Sequence, residues 1–548
     1  MIKGNRASII FQSLLLLLLG FSSLYRANLV QSMMLHRFDC TNCFMLRTVQ
    51  HDALILAFLL LICFAAARVK SRSMSFALRS SFVIGSLVYV ADVLVFKLFS
   101  TRLLFEDFLK FASDSSLAKT LSSELFLSPE FWIFSLALLS GLVVVAGYIA
   151  SQFSRSGRGH VWMVGVAGLL LGLYMTRPEA SFSHSWGYHN LVEIHRDNGV
   201  GTAYSDRFLN KLFDDEQKSN DKYHCDQGLA KAPDIILLSI ESLSPYQSKY
   251  FSGLNDFTPQ LDRIAEVHSN TINFFANGFT TEGGLIAMLL GEHPIPSVAE
   301  ISSGAQYFFS GFYNRSDSLP ATLNKSGYQT AFLTAGNLGF SNKGAWLKSI
   351  GFSHIEGHDQ PYYNGWPRYA FNAPPDEALF SRAVQFLDAR ERSRPLFLFL
   401  ENVSTHMPYI DPVSNTLSLE ATFGYTDKMV GLLYKVLRRK GFFENGILII
   451  TSDHRSMTPV DAQEYQLLGE STASRIPFIF VSERYDLEFP SEKRFQQADL
   501  KNSILYLATE ESCHDKWRGN MFMQPAEEAE CVLHARGDRR SHVDAFCG

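Results

Sequence analysis

Four short segments of this chain contain side chains that could act in catalysis. In three of them an acid or a histidine follows an apolar run, and in the fourth a threonine opens a helix-like segment. Asp453 and His454 follow the run GILIITS, and Glu241 follows DIILLSI. His406 comes shortly after PLFLFLENV, and Thr281 opens TEGGLIAMLLG, a segment typical of a loop that leads into a helix. Two carboxylates, an imidazole and a hydroxyl form a mixed oxygen and nitrogen set. This set predicts a site for one divalent ion such as Mn²⁺, Mg²⁺ or Zn²⁺.

The hydroxyl in this set predicts a nucleophile. A divalent ion lowers the pKa of a nearby hydroxyl and favours an alkoxide near neutral pH. The free N–H groups at a helix N-terminus attract an anion such as a phosphate. Thr281 is therefore the candidate that attacks a phosphorus centre, with Thr280 as a second candidate. His406 is placed to protonate the leaving oxygen.

Each of these residues also has an ordinary structural interpretation when it is taken alone. Glu241 could cap the next turn, Thr281 could be a helix N-cap, and His406 could be a loop histidine. The pair of Asp453 and His454 directly after an apolar strand is the most informative feature. The combination in one chain is more specific than any member, so it favours a functional site.

Short apolar runs alternate with helical patterns from residue 233 onward. Strands are predicted at 234–240, 330–335, 395–403, 446–452 and 476–482, and helices at 258–270, 376–390 and 425–441. Strands that are apolar on both faces and separated by helices predict a mostly parallel sheet covered on both sides. In such sheets the ligand site lies beyond the carboxyl ends of the strands, which would bring the candidate residues to one edge.

The first 176 residues contain five apolar stretches that are long enough to span a bilayer. They are residues 8–30, 52–69, 76–99, 130–152 and 160–176. The first stretch could alternatively be a cleaved signal peptide. Its long apolar run and the four stretches that follow favour a membrane span. A transporter is a further interpretation of the spans, but Asp92 is the main charged residue inside them, and no ion path is evident.

Basic residues in three short loops predict the orientation of these spans. They are Lys3 and Arg6, then Arg68, Lys70 and Arg72, then Arg155 and Arg158. All three loops belong in the cytoplasm by the positive-inside rule. Five spans then place everything after about residue 177 outside the cytoplasm. The prediction is a multi-pass inner-membrane protein with a periplasmic catalytic domain.

Charge and cysteine content narrow the function classes further. A net charge of −5 gives no sign of a basic surface, so nucleic acid is not an expected partner. Of the seven cysteines, four lie in the outer part of the chain, where an oxidising compartment favours disulfides. These are Cys225, Cys513, Cys531 and Cys547, and the sequence leaves their three pairings open.

Residues of about 233–510 resemble the lipoteichoic acid synthase and phosphoglycerol transferase branch of the sulfatase/alkaline phosphatase superfamily. The similarity is carried by LLSIESLS, FTPQLDRIAEVHSN, FTTEGGLIAMLLG, ENVSTHMPY and the segment ending in ILIITSDH. The resemblance implies that Glu241, Thr281, Asp453 and His454 hold one ion, Mn²⁺ by first choice. It also implies that His406 contacts the substrate headgroup.

The same resemblance implies an architecture and a reaction. The fold class is an N-terminal five-helix transmembrane region plus an extracytoplasmic α/β sulfatase-like domain with a mostly parallel central sheet. The expected domains are 1–176 (membrane), 177–232 (linker), 233–510 (catalytic) and 511–548 (C-terminal segment). The donor would be a phospholipid of the phosphatidylglycerol type. Its headgroup would pass through a phosphothreonine to a glycan or lipid acceptor.

Two segments depart from the pattern of that family. Arg455 follows the Asp-His pair where the family usually has Gly, and it could bind the headgroup phosphate or mark a different donor. Where lipoteichoic acid synthases show Phe-Trp-Asn-Arg, this chain has Phe340-Ser341-Asn342-Lys343. Asn342 and Lys343 are therefore candidate substrate contacts, and the headgroup stays open.

Three other functions compete with this interpretation. A phosphoethanolamine transferase would use the same threonine chemistry on a different headgroup. A sulfatase-like hydrolase would need Cys or Ser in a C/S-x-P-x-R frame, whereas this chain has Thr281-Glu-Gly-Gly-Leu. An inactive membrane scaffold would not need the complete ligand set.

Overall fold

The computed structural model describes residues 17–32, 43–99, 102–103, 161–177, 187–197, 224–295, 309, 311–407, 409–457, 460–514, 518–529, 531–535 and 543–547. The chain divides into two compact units, which consist mainly of residues 1–199 and mainly of residues 200–548. Each unit is described by itself.

Helices make up the described part of the N-terminal unit. They are α1 (17–32), α2 (Cys43–Arg68), α3 (Arg72–Phe99), α4 (Val161–Met175) and α5 (Leu191–Asp197). Among the described residues, two stretches can cross a membrane by length and composition, Phe44–Arg68 and Ser73–Lys97. The apolar helix α4 has 15 residues, or about 22 Å at 1.5 Å per residue. The predicted span at 130–152 lies outside the described residues, so five spans remain a prediction.

Charged side chains in the N-terminal unit are buried in pairs. Arg26 donates to Asp52 at 2.7 Å, and the Tyr89 hydroxyl donates to the same carboxylate at 2.7 Å. Arg102 donates to Asp92 at 2.6 Å. Because an unpaired charge among apolar helices is costly, these pairs explain how the helices tolerate charged residues in their interior.

The C-terminal unit contains an eight-stranded sheet and two small strand pairs. The strands are β1 (His224–Gln227), β2 (Asp234–Ile240), β3 (Ser269–Phe275), β4 (Gln329–Thr334), β5 (His354–Glu356), β6 (Leu396–Glu401), β7 (Gly446–Ser452), β8 (Arg475–Val481), β9 (Phe495–Gln496), β10 (Glu511–His514), β11 (Cys531–Ala535) and β12 (Val543–Cys547). The large sheet has the order β5-β4-β6-β2-β7-β8-β3-β9. Strand β8 is antiparallel to both neighbours, and the other pairs are parallel, which confirms the predicted mostly parallel sheet.

Helices cover both faces of this sheet. They are α6 (Pro259–Val267), α7 (Thr281–Leu290), α8 (Leu319–Lys325), α9 (Lys343–Ser349), α10 (Asp376–Ala389), α11 (Leu419–Arg439), α12 (Ala462–Leu468) and α13 (Asp499–Ala508). Ile235 and Leu237 of β2 pack with residues of α7, α8, α9 and α13. Ile236 and Leu238 pack on the opposite face with residues of α6, α10 and α11. Successive side chains of a strand point to opposite faces, so a strand buried on both sides is apolar throughout.

Two segments differ from the sequence prediction. The helix expected over 258–270 ends at Val267, and residues 269–275 form β3 at the antiparallel side of the sheet. The predicted linker 177–232 contains helix α5 and strand β1. Residues 269–275 and the predicted linker contain many polar residues. The apolar periodicity from which helices and strands are predicted is therefore weak in these two segments.

Disulfides connect the ends of the C-terminal unit. Strand β1 pairs with β10 in antiparallel register, and Cys225 is bonded to Cys513 across that pair. Cys531 is also disulfide-bonded, and it stands opposite Cys547 in the β11–β12 pair. Cysteines that are hundreds of residues apart are brought together by strand pairing, which no local sequence pattern predicts.

Candidate active site

Neighbouring parallel strands place the candidate ligands side by side. Strands β2 and β7 pair along their whole length, with Ile240 opposite Ser452. Glu241 follows the first strand, and the Asp453–His454 pair follows the second. Because parallel strands end at the same edge of a sheet, these side chains meet although about 210 residues separate them in the chain.

Two carboxylates and one imidazole converge at this edge. The His454 Nε2 atom lies 3.3 Å from Glu241 Oε1 and 3.4 Å from Asp453 Oδ2. All three residues are between 1% and 4% exposed. Within the described residues, Asp453 Oδ2 and His454 Nε2 have no hydrogen-bond partner. Buried polar atoms without partners are costly, and a divalent cation would satisfy this oxygen and nitrogen set. The residues therefore fit a metal ion.

The pKa values of the three groups reflect their shared burial. Burial raises the pKa of Asp453 to about 7, and the nearby charge of Glu241 acts in the same direction. Burial also acts to raise the pKa of Glu241, but the imidazoles of His406 and His454 hold it below the ordinary value. For His454 burial acts downward, and the carboxylates of Asp453 and Glu241 outweigh it and raise the pKa to about 10. When no metal is bound, His454 carries a proton, and its positive charge offsets the negative charge of the two buried carboxylates.

Thr281 brings a hydroxyl group to the same cluster. It is the first residue of α7, and its Oγ1 donates to Glu241 Oε2 at 3.2 Å. The N-cap residue is Thr280, whose extended backbone turns the chain into the helix. The first N–H groups of a helix have no partner within the helix, so the start of α7 favours an anion beside Thr281.

Two glycines allow α7 to approach the ligand strand. A Cβ atom on Gly284 would lie 2.2 Å from the backbone oxygen of Asp453, and one on Gly283 would lie 2.8 Å from Gly278 Cα. Glycine is unfavourable inside a helix. Glycine at 284 is explained by the close contact with the ligand strand, which lets the start of α7 bring Thr281 to Glu241, and glycine at 283 is explained by the contact with Gly278.

Ser242 links two of the candidate ligands. Its backbone N–H donates to Asp453 Oδ1 at 3.0 Å, and its hydroxyl donates to Glu241 Oε1 at 2.8 Å. Its φ of +60° is uncommon for a residue other than glycine. Such backbone strain occurs at functional sites, where the surrounding contacts maintain it.

Asn402 and Thr405 hold Glu241 in place, and the sequence analysis missed both. Asn402 Oδ1 accepts from the backbone N–H of Glu241 at 2.7 Å, while its Nδ2 donates to Asp376 at 3.0 Å. Thr405 donates to the carbonyl of Glu241 at 2.7 Å. Asn402 follows directly after β6, so its position at a strand end was a signal that could have identified it.

Gln497 supports the other ligand strand. Its Nε2 donates to the carbonyl oxygens of Ser452 at 2.8 Å and Asp453 at 2.7 Å. Its own Oε1 accepts from the backbone N–H of Asn277 at 3.0 Å. Gln497 lies in the loop before α13, and no sequence pattern marked it.

The predicted substrate residues are in different environments. His406 packs edge-on against Phe371, with 4.4 Å between the ring centres, and its Nδ1 lies 2.5 Å from the Met407 carbonyl oxygen. Lys343 donates to Glu401 at 2.5 Å near the end of β6. Asn342 is exposed and donates to the hydroxyl of a neighbouring tyrosine at 3.2 Å.

Arg455, a predicted headgroup contact, lies in an ion pair. It is buried and donates to both carboxylate oxygens of Glu464, at 3.1 and 2.5 Å, and to the Ser456 carbonyl at 2.7 Å. Its contact with a headgroup phosphate stays a prediction. In the observed arrangement Arg455 holds α12 to the segment that follows the ligand pair.

Structures of several proteins resemble this chain. The lipoteichoic acid synthase LtaP from Listeria monocytogenes matches with a TM-score of 0.45 and 18% identity, over 53% of this chain and 77% of that chain. The zinc complex of the C-terminal periplasmic domain of EcEptC from Escherichia coli matches with a TM-score of 0.41 and 15% identity, over 59% of this chain and 95% of that chain.

Sequence comparison identifies the family. Phosphoglycerol transferase I of Citrobacter koseri is 25% identical over 346 residues, which cover 57% of this chain and 43% of that protein. The Escherichia fergusonii protein of the same name is 23% identical over 386 residues, covering 63% of this chain and 48% of that protein. The match thus spans less than half the length of these relatives. Residues 233–509, about half of the chain, match the family model described as Sulfatase, which confirms the predicted resemblance. The chain belongs to the sulfatase family, within the sulfatase/alkaline phosphatase superfamily, and part of it is similar to phosphoglycerol transferases.

Proposed function

We infer that this chain is a membrane-anchored, metal-dependent transferase. It moves a phosphoglycerol-type headgroup from a phospholipid to an extracytoplasmic glycan or lipid acceptor through a phosphothreonine intermediate. The observation that carries this proposal is the 3.2 Å contact between the Thr281 hydroxyl and Glu241, beside Asp453 and His454. A hydroxyl at a helix N-terminus, next to a buried cation site, suits attack on a phosphorus centre.

Glu241, Asp453 and His454 would hold the divalent ion together with Thr281. Mn²⁺ is the first choice, and Mg²⁺ and Zn²⁺ are alternatives. When bound, such an ion lowers the pKa of a nearby hydroxyl and offsets the charge of a phosphate ester. The partner-free atoms Asp453 Oδ2 and His454 Nε2 support this assignment.

The residues of the chain would act in two steps. In the first, the Thr281 hydroxyl would pass its proton to Glu241 Oε2, to which it donates, and Oγ1 would attack the phosphorus. The bond from phosphorus to the diacylglycerol oxygen would break, and that oxygen would take a proton from His406. In the second, the acceptor hydroxyl would give its proton to His406 and attack the phosphorus, and the bond to Thr281 Oγ1 would break as Oγ1 takes its proton back from Glu241. The N-terminal end of the α7 dipole would favour the negative charge of the phosphate beside Thr281 in both steps.

Two further observations support a lipid donor. The relatives from Citrobacter koseri and Escherichia fergusonii are phosphoglycerol transferases, and the described part of this chain contains two helices that can cross a membrane. An enzyme anchored in the bilayer remains beside the headgroups of its donor. A phosphoethanolamine transferase would share the mechanism and differ only in the group that is transferred.

The test is the mass of the trapped intermediate. Purified full-length protein in detergent is incubated with Mn²⁺ and either phosphatidylglycerol or phosphatidylethanolamine, quenched in acid, and analysed by peptide mass spectrometry. The expected result is a phosphoglycerol group on Thr281 from phosphatidylglycerol alone. A phosphoethanolamine group on Thr281 would instead assign the other headgroup.

Thr281→Ala is expected to lose the adduct and at least about a thousandfold in turnover, because the covalent route disappears. Thr280→Ala is the matched control, since it changes the neighbouring hydroxyl without removing the one beside Glu241. It should keep the adduct and most of the activity. Full activity of Thr281→Ala, or an adduct on Thr280, would overturn the assignment of the nucleophile.

A further inference from the structure

A second group of metal-ligating side chains lies in the C-terminal unit and shares no residue with the candidate active site. It consists of Asp226 in β1, His514 in β10 and Glu527 in the segment 518–529. One ligand atom from each residue lies within 4.8 Å of the others. The adjacent Cys225 and Cys513 are joined in a disulfide, so their sulfur atoms are not available to a metal.

Two buried atoms in this group face each other across a gap. His514 is 3% exposed, and its Nδ1 has no hydrogen-bond partner among the described residues. The same holds for Asp226 Oδ2, which lies 3.9 Å from that nitrogen. This distance is too long for a hydrogen bond. Two ligands of one tetrahedral Zn²⁺ ion stand about 3.3–3.6 Å apart, since Zn–N and Zn–O bonds are about 2.0–2.2 Å, so these two atoms would have to approach each other by a few tenths of an ångström to share an ion.

Glu527 determines which nitrogen of His514 can bind a metal. The His514 Nε2 atom lies 2.8 Å from Glu527 Oε2. Glu527 Oε2 has no hydrogen-bond partner among the described residues, so this contact is an ion pair by distance only. The negative charge of the carboxylate favours a proton on Nε2, which leaves the lone pair of Nδ1 for a metal. Metal-binding histidines generally have such a carboxylate or carbonyl at the second nitrogen, which orients the ring.

His224 lies beside this group on the solvent side. Its side chain is 61% exposed, and its Nε2 lies 3.1 Å from Asp226 Oδ1. It stands directly opposite His514 in the β1–β10 pair, with 5.7 Å between the ring centres. The strand pair and its disulfide hold the two histidines at this spacing, and the exposed side gives an ion a route of entry.

We propose that Asp226, His514 and His224 bind a divalent ion of the Zn²⁺ type, with Glu527 orienting His514. Two imidazoles and a carboxylate match the ligands that Zn²⁺ takes in proteins, and water can complete a tetrahedral set. The ion joins the strand pair at the two ends of the C-terminal unit to the segment that carries Glu527. This site is independent of the proposed transferase reaction.

Metal counting tests the second site. Full-length protein in detergent is stripped with a chelator, dialysed against Zn²⁺ alone, and measured by elemental analysis. Wild type is expected to bind two ions per chain, Glu241→Gln one, Asp226→Asn one, and the double variant none. Glu528→Gln is the matched control, because it removes an exposed carboxylate next to Glu527 and should keep both ions.

Co²⁺ gives a second measurement that does not depend on activity. In the Glu241→Gln background, Co²⁺ should produce the visible absorption of a low-coordinate nitrogen and oxygen site. Asp226→Asn and His514→Gln should each abolish this absorption or weaken binding at least tenfold. A single Zn²⁺ ion in wild type that Glu241→Gln loses and Asp226→Asn keeps would overturn the proposal. So would a second ion that Asp226→Asn and His514→Gln both retain. In that case the cluster is a buried ion pair of His514 with two carboxylates.

Discussion

Two buried carboxylates and a buried imidazole carry the chemistry of the candidate active site. Within the described residues, Asp453 Oδ2 and His454 Nε2 have no hydrogen-bond partner, and the hydroxyl of Thr281 donates to Glu241 beside them. A negatively charged set in a low-dielectric environment is stable only with a cation, which is either a proton or a metal. Several properties of the protein therefore depend on which cation is present.

Metal binding is expected to release a proton from His454. Its pKa of about 10 means that the metal-free site is protonated at pH 7 to 9, whereas a metal needs the lone pair on Nε2. Mn²⁺ affinity should rise about tenfold per pH unit in this range. Below about pH 7 the dependence should steepen, because Asp453 also takes up a proton.

Calorimetric titration in two buffers with different ionisation enthalpies measures the released protons directly. A pH-independent affinity with no proton release would contradict this account of the site. The control is a titration of Mn²⁺ into a chelator of known proton release in the same two buffers. It calibrates the heat that the buffer contributes when it takes up the released protons.

Asn402 is expected to act as a positioning residue for Glu241. Asn402→Ala removes the acceptor of the Glu241 N–H and the donor to Asp376, both of which are buried. Metal affinity should fall about 10–100-fold, as for other groups that orient ligands. The free energy of unfolding should fall by about 1–3 kcal/mol. The exposed Asn364→Ala is the control, and equal metal affinity in both variants would rule out a positioning role.

At the scale of secondary structure, the position of α7 against the end of β7 decides whether nucleophile and ligands meet. The backbone of Gly284 packs directly against the backbone of Asp453, and no space remains between them for a Cβ atom. This contact therefore depends on the absence of a side chain at position 284. Backbone atoms cannot rotate away as a side-chain tip can, and a larger residue must displace the helix.

Gly284→Ala is therefore expected to lower both stability and activity. The added Cβ would lie 2.2 Å from the Asp453 oxygen, and the resulting shift of α7 would move Thr281 away from Glu241. We expect about 1–3 kcal/mol loss of unfolding free energy and at least about a hundredfold loss of turnover.

The matched control is Gly424→Ala in α11, where the nearest atom to an added Cβ is 3.8 Å away. This substitution should be neutral or slightly stabilising, because alanine favours a helix. Chemical denaturation and turnover assays compare the two variants. Wild-type turnover in Gly284→Ala would show that the close approach is not required.

At the scale of the whole molecule, the chain combines membrane-type helices with a sulfatase-family region and a disulfide that joins β1 to β10. Disulfides form in oxidising compartments, so the Cys225–Cys513 bond supports a catalytic region outside the cytoplasm. The positive-inside pattern of the loops predicts the same side.

Protease treatment of intact spheroplasts is expected to digest residues 233–509 and to leave a membrane-bound N-terminal fragment. Alkaline washing should not extract the full chain, because α2 and α3 are long enough to span the bilayer. The control is a cytoplasmic marker protein, which must survive the protease. Protection of the catalytic region until the membrane is lysed would reverse the predicted orientation.

The sequence by itself identified the family, the parallel sheet and the residues that meet at its edge. Glu241 and the Asp453–His454 pair were recognisable because an apolar run that ends in polar residues is a local pattern. The rule that parallel strands end at one edge then relates distant segments without coordinates. Thr281 was found in the same way, from the loop that opens into an apolar helix. Their catalytic roles stay predictions.

The tertiary structure alone decided how these residues are supported. The Asn402 contact to Glu241 and the Gln497 contacts to the Asp453 strand depend on which strands are neighbours. The Arg455–Glu464 ion pair and the Cys225–Cys513 bond likewise join residues whose sequence gives no sign of their partner. The physical reason is that local patterns report burial and periodicity, whereas a contact between distant residues is determined by strand order and packing, which only the folded chain contains.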